Sequence, residues 1–187
     1  MKTSVYLTNR AIVAASGAYS GGVLRIKGLY RQEIPWGLVH NGAVADSKAL
    51  SEQLATFWQK HALPQRGVSL VIDSDAVTGR VMEVPPLAPK AMRKLVCNML
   101  MEDAPADSRL YDYTALRPTQ KPGQEEAVQR IYAVAAERQQ IEAFAQLAQG
   151  IGVRLSGVDL APMCARQFFQ RSEDYWGKSF IYSLLIG

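Results

Sequence analysis

Gly79-Arg80-Val81-Met82-Glu83-Val84-Pro85-Pro86-Leu87-Ala88-Pro89 marks the point where the pattern of this chain changes. Residues 79–84 read as a strand that Pro85-Pro86 ends. Pro89 then opens a helix at its first turn, where a missing N–H costs nothing. Met92, Leu95, Val96, Met99 and Leu100 form the apolar stripe of that helix. Further on, Arg109–Leu116 reads as a strand with Tyr111 and Tyr113 on one face. A polar Pro/Gly loop spans 118–124, and Ala127–Ala136 is another strand. Glu137–Gln149 is a helix closed by Gly150, and Val153–Leu160 is a last strand. The order from 79 to 160 is therefore βαββαβ, a ferredoxin-like sequence of elements, expected as a self-contained subdomain inserted into a larger one.

Before this insert, Val5–Leu7, Ala11–Ala15 and Val23–Tyr30 read as three strands of an antiparallel meander, with Ser20-Gly21-Gly22 as a turn. Ile34 to Gly42 is loop. Asp46 or Ser47 can cap a helix that places Leu50, Leu54, Phe57, Trp58 and His61 on one face, and Leu63-Pro64 stops it. Val68–Ile72 is a short apolar run that fits a strand buried on both faces. After the insert, a helix is expected over Pro162–Gln170 and a strand over Phe180–Ile186. Nothing follows that strand to close a domain, so the chain is expected to be part of a longer protein. The division is 1–78 plus 161–187 for one subdomain and 79–160 for the other, in an α/β chain with a mixed sheet.

The chain has 187 residues, enough for one large domain or two small ones. Its 48% apolar and 20% charged composition is that of an ordinary folded protein. No apolar run is long enough for a transmembrane helix and no secretory leader is legible. Net charge is +4, with cations at Arg25, Lys27, Arg31, Arg93, Lys94, Arg166 and Arg171. They are not interleaved with aromatics as a nucleic-acid strip requires, so no nucleic acid is expected. A solvated surface is the plain reading, with an acidic leaflet or acidic partner as the alternative. Cys97 and Cys164 fit buried reduced thiols. His40 and His61 have no carboxylates clustered around them and cannot make a metal site.

Sequence signals for chemistry are sparse. No Gly-rich phosphate loop, nucleophile elbow or H-E-x-x-H string occurs. Asp73-Ser74-Asp75 follows a strand, where active-site acids can sit, but a turn using their side chains is the favoured reading. Glu102-Asp103 lies at a helix end, Asp112 faces away from Tyr111 and Tyr113, and Asp159 fits a cap or turn. No nucleophile–base pair is legible, so the chain is not expected to be an enzyme.

Several strings, in order, resemble the PilM family of type IV pilus assembly proteins and the cytoplasmic part of type II secretion GspL proteins. They are Ile34–Gly42, the passage from Val71-Ile72 through Arg80–Leu87, Leu110–Tyr113, Ala133–Glu142 and Gly152–Asp159. The resemblance covers the first half of such a protein. It implies an actin-like fold of the FtsA type with an inserted subdomain. In nucleotide-binding relatives the first two strands are joined by D-x-G-S/T-x-x-x-K. Here Tyr6, Thr8 and Val13 stand in place of the acid, the glycine and the lysine, and Leu185 replaces the acid of the second loop. No cofactor is therefore expected.

The resemblance further implies a cytoplasmic scaffold at the bacterial inner membrane, linking an assembly ATPase to membrane components. A PilN-like tail would lie along Arg80, Met82, Leu87, Met92 and Val96, although Met92 and Val96 serve equally as core. It leaves open a homodimer and a membrane segment beyond residue 187. The rival readings are half of an actin-fold ATPase or sugar kinase, and an FtsA-like filament-forming module.

Overall fold

The computed structural model describes residues 2–100, 107–116, 128–161 and 163–164. The expected helix over 162–170, the strand over 180–186, the loop over 118–124, Glu102-Asp103, Arg166, Arg171 and Leu185 lie outside the described residues or largely so. The chain divides into two compact units, 1–73 with 145–187 and 74–144.

The first unit is built on a five-stranded sheet. Its strands are β1 (Lys2–Leu7), β2 (Ala11–Ser20), β3 (Val23–Glu33), β6 (Val68–Ile72) and β10 (Leu155–Leu160), in the order β10-β6-β1-β2-β3. β1, β2 and β3 are antiparallel neighbours, as the meander reading expects, while β6 and β10 run parallel to β1. Gly21 and Gly22 both take positive φ (57° and 78°), which a two-residue hairpin turn demands and glycine gives at no steric cost. A short strand, β4 (Val39–His40), lies within the stretch read as loop and pairs with another, β5 (Ala43–Val44), just after it.

One face of this sheet is buried. Thr3, Val5, Leu7, Ile12, Ala14, Val68, Leu70 and Ile72 share it by alternation, all at 5% exposure or less. Helix α1 (Ser47–Lys60) supplies Leu50, Leu54, Phe57 and Trp58 to the core, and its Gln53 accepts a hydrogen bond from Gln32 of β3 (3.1 Å). Asp46 caps it, its carboxylate accepting from the Ala49 N–H at 2.9 Å. His61 lies against Tyr30 (4.6 Å between centroids) and Phe57 (4.8 Å) as part of this packing. The buried Thr3 and Ser16 hydroxyls satisfy one another at 2.8 Å. Val68–Ile72 alternates buried and half-buried positions, so one of its faces is only partly covered, which corrects the expectation of burial on both.

A bulge interrupts the β2–β3 ladder. Ser16 pairs with Gly28 but Gly17 pairs with Ile26, leaving Lys27 as the extra residue. A Cβ on Gly17 would lie 2.5 Å from the Arg25 carbonyl oxygen, so glycine is what lets the strands close over the bulge.

The second unit holds three antiparallel strands in the order β7-β9-β8: β7 (Thr78–Val84), β8 (Arg109–Ala115) and β9 (Gln129–Glu137). Helix α2 (Pro89–Leu100) packs on them. Met82, Val84, Met92, Val96, Leu100, Ile131, Ala133 and Ala135 form the core, with Tyr111 and Tyr113 against it. Helix α3 (Arg138–Gly150) crosses the boundary between the units at 144/145.

The strand expected to complete the insert differs in place. β10 pairs with β6, in the register Val158–Leu70 and Leu160–Ile72, and so belongs to the first unit's sheet. Ser156 helps fix it there, its hydroxyl donating to the Val68 carbonyl at 2.9 Å. The order βαββαβ is present, but its last strand is an edge of the larger sheet, and the first unit resumes at 145, not 161.

Candidate functional site

In an open sheet with parallel strands, ligands sit beyond the strands' carboxyl ends. In the first unit that end carries Tyr6, Thr8, Asp73 and Asp159. Tyr6 pairs with Val71 on one side and Val13 on the other, and Val71 pairs with Asp159. Alternation then puts Val13, Tyr6, Val71 and Asp159 in one row on the sheet's more open face.

The turn joining β1 and β2 is short and closed on itself. The Thr8 hydroxyl accepts from the Ala11 N–H (2.9 Å) and the Arg10 N–H (3.2 Å), and the Thr8 N–H donates to the Ala11 carbonyl (3.0 Å). Two backbone donors that a phosphate would need are thus held by a side chain within the turn. Asn9 is engaged too, its side-chain oxygen accepting from the N–H of Asn41, which takes the left-handed conformation (φ 53°) before Gly42. Tyr6 hydrogen-bonds Asp73. Burial first, then the Asp73 charge and that bond, push the Tyr6 phenol above its ordinary range. The hydroxyl and amide groups of this turn answer one another.

Ser74 makes the turn that the Asp-Ser-Asp string suggests. Its hydroxyl accepts from the Ala76 N–H (3.2 Å), and its carbonyl from the Val77 N–H (3.4 Å). Asp73 has a second role, toward Tyr6, that no local pattern announces, since the two meet only once β1 lies beside β6. Cys164 and Asp159 are near enough to interact. Burial and the Asp159 charge raise the thiol, and a backbone hydrogen bond partly offsets this. Both cysteines are free. Among the described residues no three His, Cys, Asp or Glu side chains are grouped to hold a metal.

Sequence reasoning missed the contact between Arg10 and Trp36. The guanidinium carbon lies 5.0 Å from the ring centroid, and the indole is 66% exposed. An exposed Trp beside a turn was the available signal. A shallow cavity of about 540 Å³ also opens beside α1, lined by Glu52, Trp58, Gln59, Leu63, Gln65 and Ile151 among others; it gathers no set of titratable groups.

The five residues expected along a partner tail divide. Met82, Met92 and Val96 are buried in the second unit's core at 7%, 1% and 1% exposure, which corrects their assignment to a contact surface. Burying them is favourable by roughly 1.5–3 kcal/mol each, and that is the role their positions serve. Arg80 and Leu87 are on the surface, Leu87 at 40%, while Val81 is 51% exposed on the other face of β7.

No protein-family model matches this sequence, and neither does any curated protein. Among solved structures the chain is similar to one in the PilM-PilN type IV pilus biogenesis complex, with a TM-score of 0.73 and 21% identity. That match covers 88% of this chain and 48% of the other, so this chain spans about half the length of the protein it resembles. It agrees with the actin-like fold expected from the sequence. A weaker likeness, with a TM-score of 0.43 and 13% identity over 84% of this chain and 56% of the other, is to the cytoplasmic domain of EpsL. EpsL is an inner membrane component of the type II secretion system of Vibrio cholerae, and a likeness this distant carries no argument.

Proposed function

We propose that this chain is part of a scaffold of a type IV pilus or type II secretion assembly platform, acting by protein–protein contacts on the cytoplasmic side of the inner membrane. The observation that carries this reading is the fold similarity to a chain of the PilM-PilN complex. In this reading the second unit receives the tail of a PilN-like membrane partner on the surface near Arg80 and Leu87. An assembly ATPase is the further partner. The closed Thr8 turn and the Tyr6–Asp73 bond support a scaffold over an ATPase, because they leave the first phosphate position filled by the protein's own groups.

The test is a pull-down of the chain with an N-terminal tail peptide of the membrane partner. Arg80→Glu with Leu87→Asp should weaken capture at least tenfold, and undiminished capture overturns the surface assignment. Calorimetry with Mg-ATP should show no binding in the micromolar range; heat of binding there would overturn the scaffold reading in favour of an ATPase.

A further inference from the structure

The amino end of the first unit's sheet is basic. The parallel strands β1, β6 and β10 begin there, at Lys2, Val68 and Leu155, and the chain enters the last two past Arg66 and Arg154. Helix α1 runs out toward β6 at Lys60. The β2–β3 hairpin turns at this same end and adds Arg25 and Lys27, since the first residue of β1, Lys2, pairs with Gly17 near the tip. All six of these side chains are exposed, and among the described residues none is in an ion pair. The segments that build this end, residues 1–32, 53–72 and 145–158, contain no Asp or Glu at all. The net charge of the chain is only +4, so the excess is concentrated, and a one-signed field of this kind draws in anionic surfaces.

The same end is apolar at its tip. Among the described residues, Ala18–Ser20 and Val23–Arg25 pair only with each other and run on past the start of β1. Tyr19, Val23, Leu24, Ile26 and Leu29 are 51–69% exposed, a concentration matched nowhere else among the described residues. Pairing places Tyr19, Leu24 and Ile26 on one face of this two-stranded arm, while Val23, next to Leu24, lies on the other. A flat protein partner covers one face of a ribbon; a lipid interface surrounds a tip, and here each face carries an exposed apolar side chain, with Arg25 beside Val23 on the second. Exposed apolar groups with basic neighbours are what interfacial binding uses.

We propose that the amino end of this sheet rests on an anionic lipid surface, with the β2–β3 tip in the headgroup region and Lys2, Arg25, Lys27, Lys60, Arg66 and Arg154 facing the phosphates. Such attraction is worth about fivefold in affinity per cation near the surface. It is independent of the pilus reading, for the peptide pull-down can fail while this succeeds, and the reverse.

The experiment is flotation of the chain with vesicles of phosphatidylcholine alone or mixed with phosphatidylglycerol. The chain should float with the mixed vesicles only, and added salt should release it. Arg25→Gln with Lys27→Gln should lower binding about 25-fold. Leu24→Ser with Ile26→Ser, at exposed positions that carry no core packing, should lower it tenfold or more. Arg93→Gln with Lys94→Gln, the same charge change on α2, should leave it unaltered. Equal binding to neutral vesicles, no binding at low salt, or an equal loss in the α2 variant would overturn the proposal. Retention on immobilised poly-glutamate without flotation would overturn the lipid assignment and point to an acidic protein partner.

Discussion

The two ends of the first unit's sheet are built from the same five strands and could hardly be more different. At the carboxyl end polar groups are turned inward on each other: Thr8 holds the amides of its own turn, Asn9 holds Asn41, and Tyr6 holds Asp73. At the amino end charged and apolar groups face outward, and the hairpin arm runs beyond its neighbour. A ligand at the first end would have to break existing bonds before making new ones. A partner at the second end finds cations that are in no ion pair among the described residues. Interaction capacity in this unit is therefore set by which donors and side chains the fold leaves uncommitted, more than by which residue types are present.

The comparison breaks most completely if the core under both ends is removed. Phe57→Ala, at a side chain with no exposure, should cost about 3–5 kcal/mol in urea unfolding and loosen both ends together. Gly17→Ala acts on the amino end alone. Its methyl would meet the Arg25 carbonyl, so the arm must shift, at a cost of about 1–3 kcal/mol, and hydrogen exchange should quicken in Ala18–Ile26 while Thr8–Ala11 is unchanged. Thr8→Val acts on the carboxyl end alone and should cost about 1–2 kcal/mol, since two amides lose their acceptor. It should confer no ATP binding by calorimetry, because Tyr6 and Val13 remain.

Tyr6→Phe has the smallest effect, about 1 kcal/mol, and it carries a pH signature. The folded phenol titrates above its ordinary value of 10.0, so its contribution is fully present below that pH and is lost as pH rises through the folded value. The wild-type chain should lose stability on the alkaline side, and the phenylalanine variant should lose less there. Identical alkaline profiles for the two would mean that Tyr6 and Asp73 do not interact.

Local features were the legible ones. The glycine pair at 21–22, the Asp46 cap, the Pro89 helix start and the stripe of α2 appear where their own physics puts them. What the sequence withheld depends on distant partners. Leu155–Leu160 has the composition of a strand wherever it pairs, and only its ladder with β6 assigns it to the first unit. Met82 and Arg80 lie on the same face of β7 by alternation, yet one is buried and the other exposed, because α2 covers only part of that face. Tyr6 reads as a degenerate position in a loop until β6 brings Asp73 to its hydroxyl. The basic end is the extreme case: its cations come from segments separated by up to about 150 residues, and along the chain they look scattered.

The unpaired Lys27 acts as a phase shift in the sequence. Up to Ile26 the even-numbered residues of β3 face the more open side of the sheet, and from Gly28 onward the odd-numbered ones do. Taking Lys27 into the ladder opposite Gly17, with no bulge, would turn the whole tip over, exchanging Leu24 and Ile26 for Val23 and Arg25 on that side without altering any of them. The one position left out of the ladder thus encodes the facing of an entire arm, and a shift of register there would do what several substitutions could not.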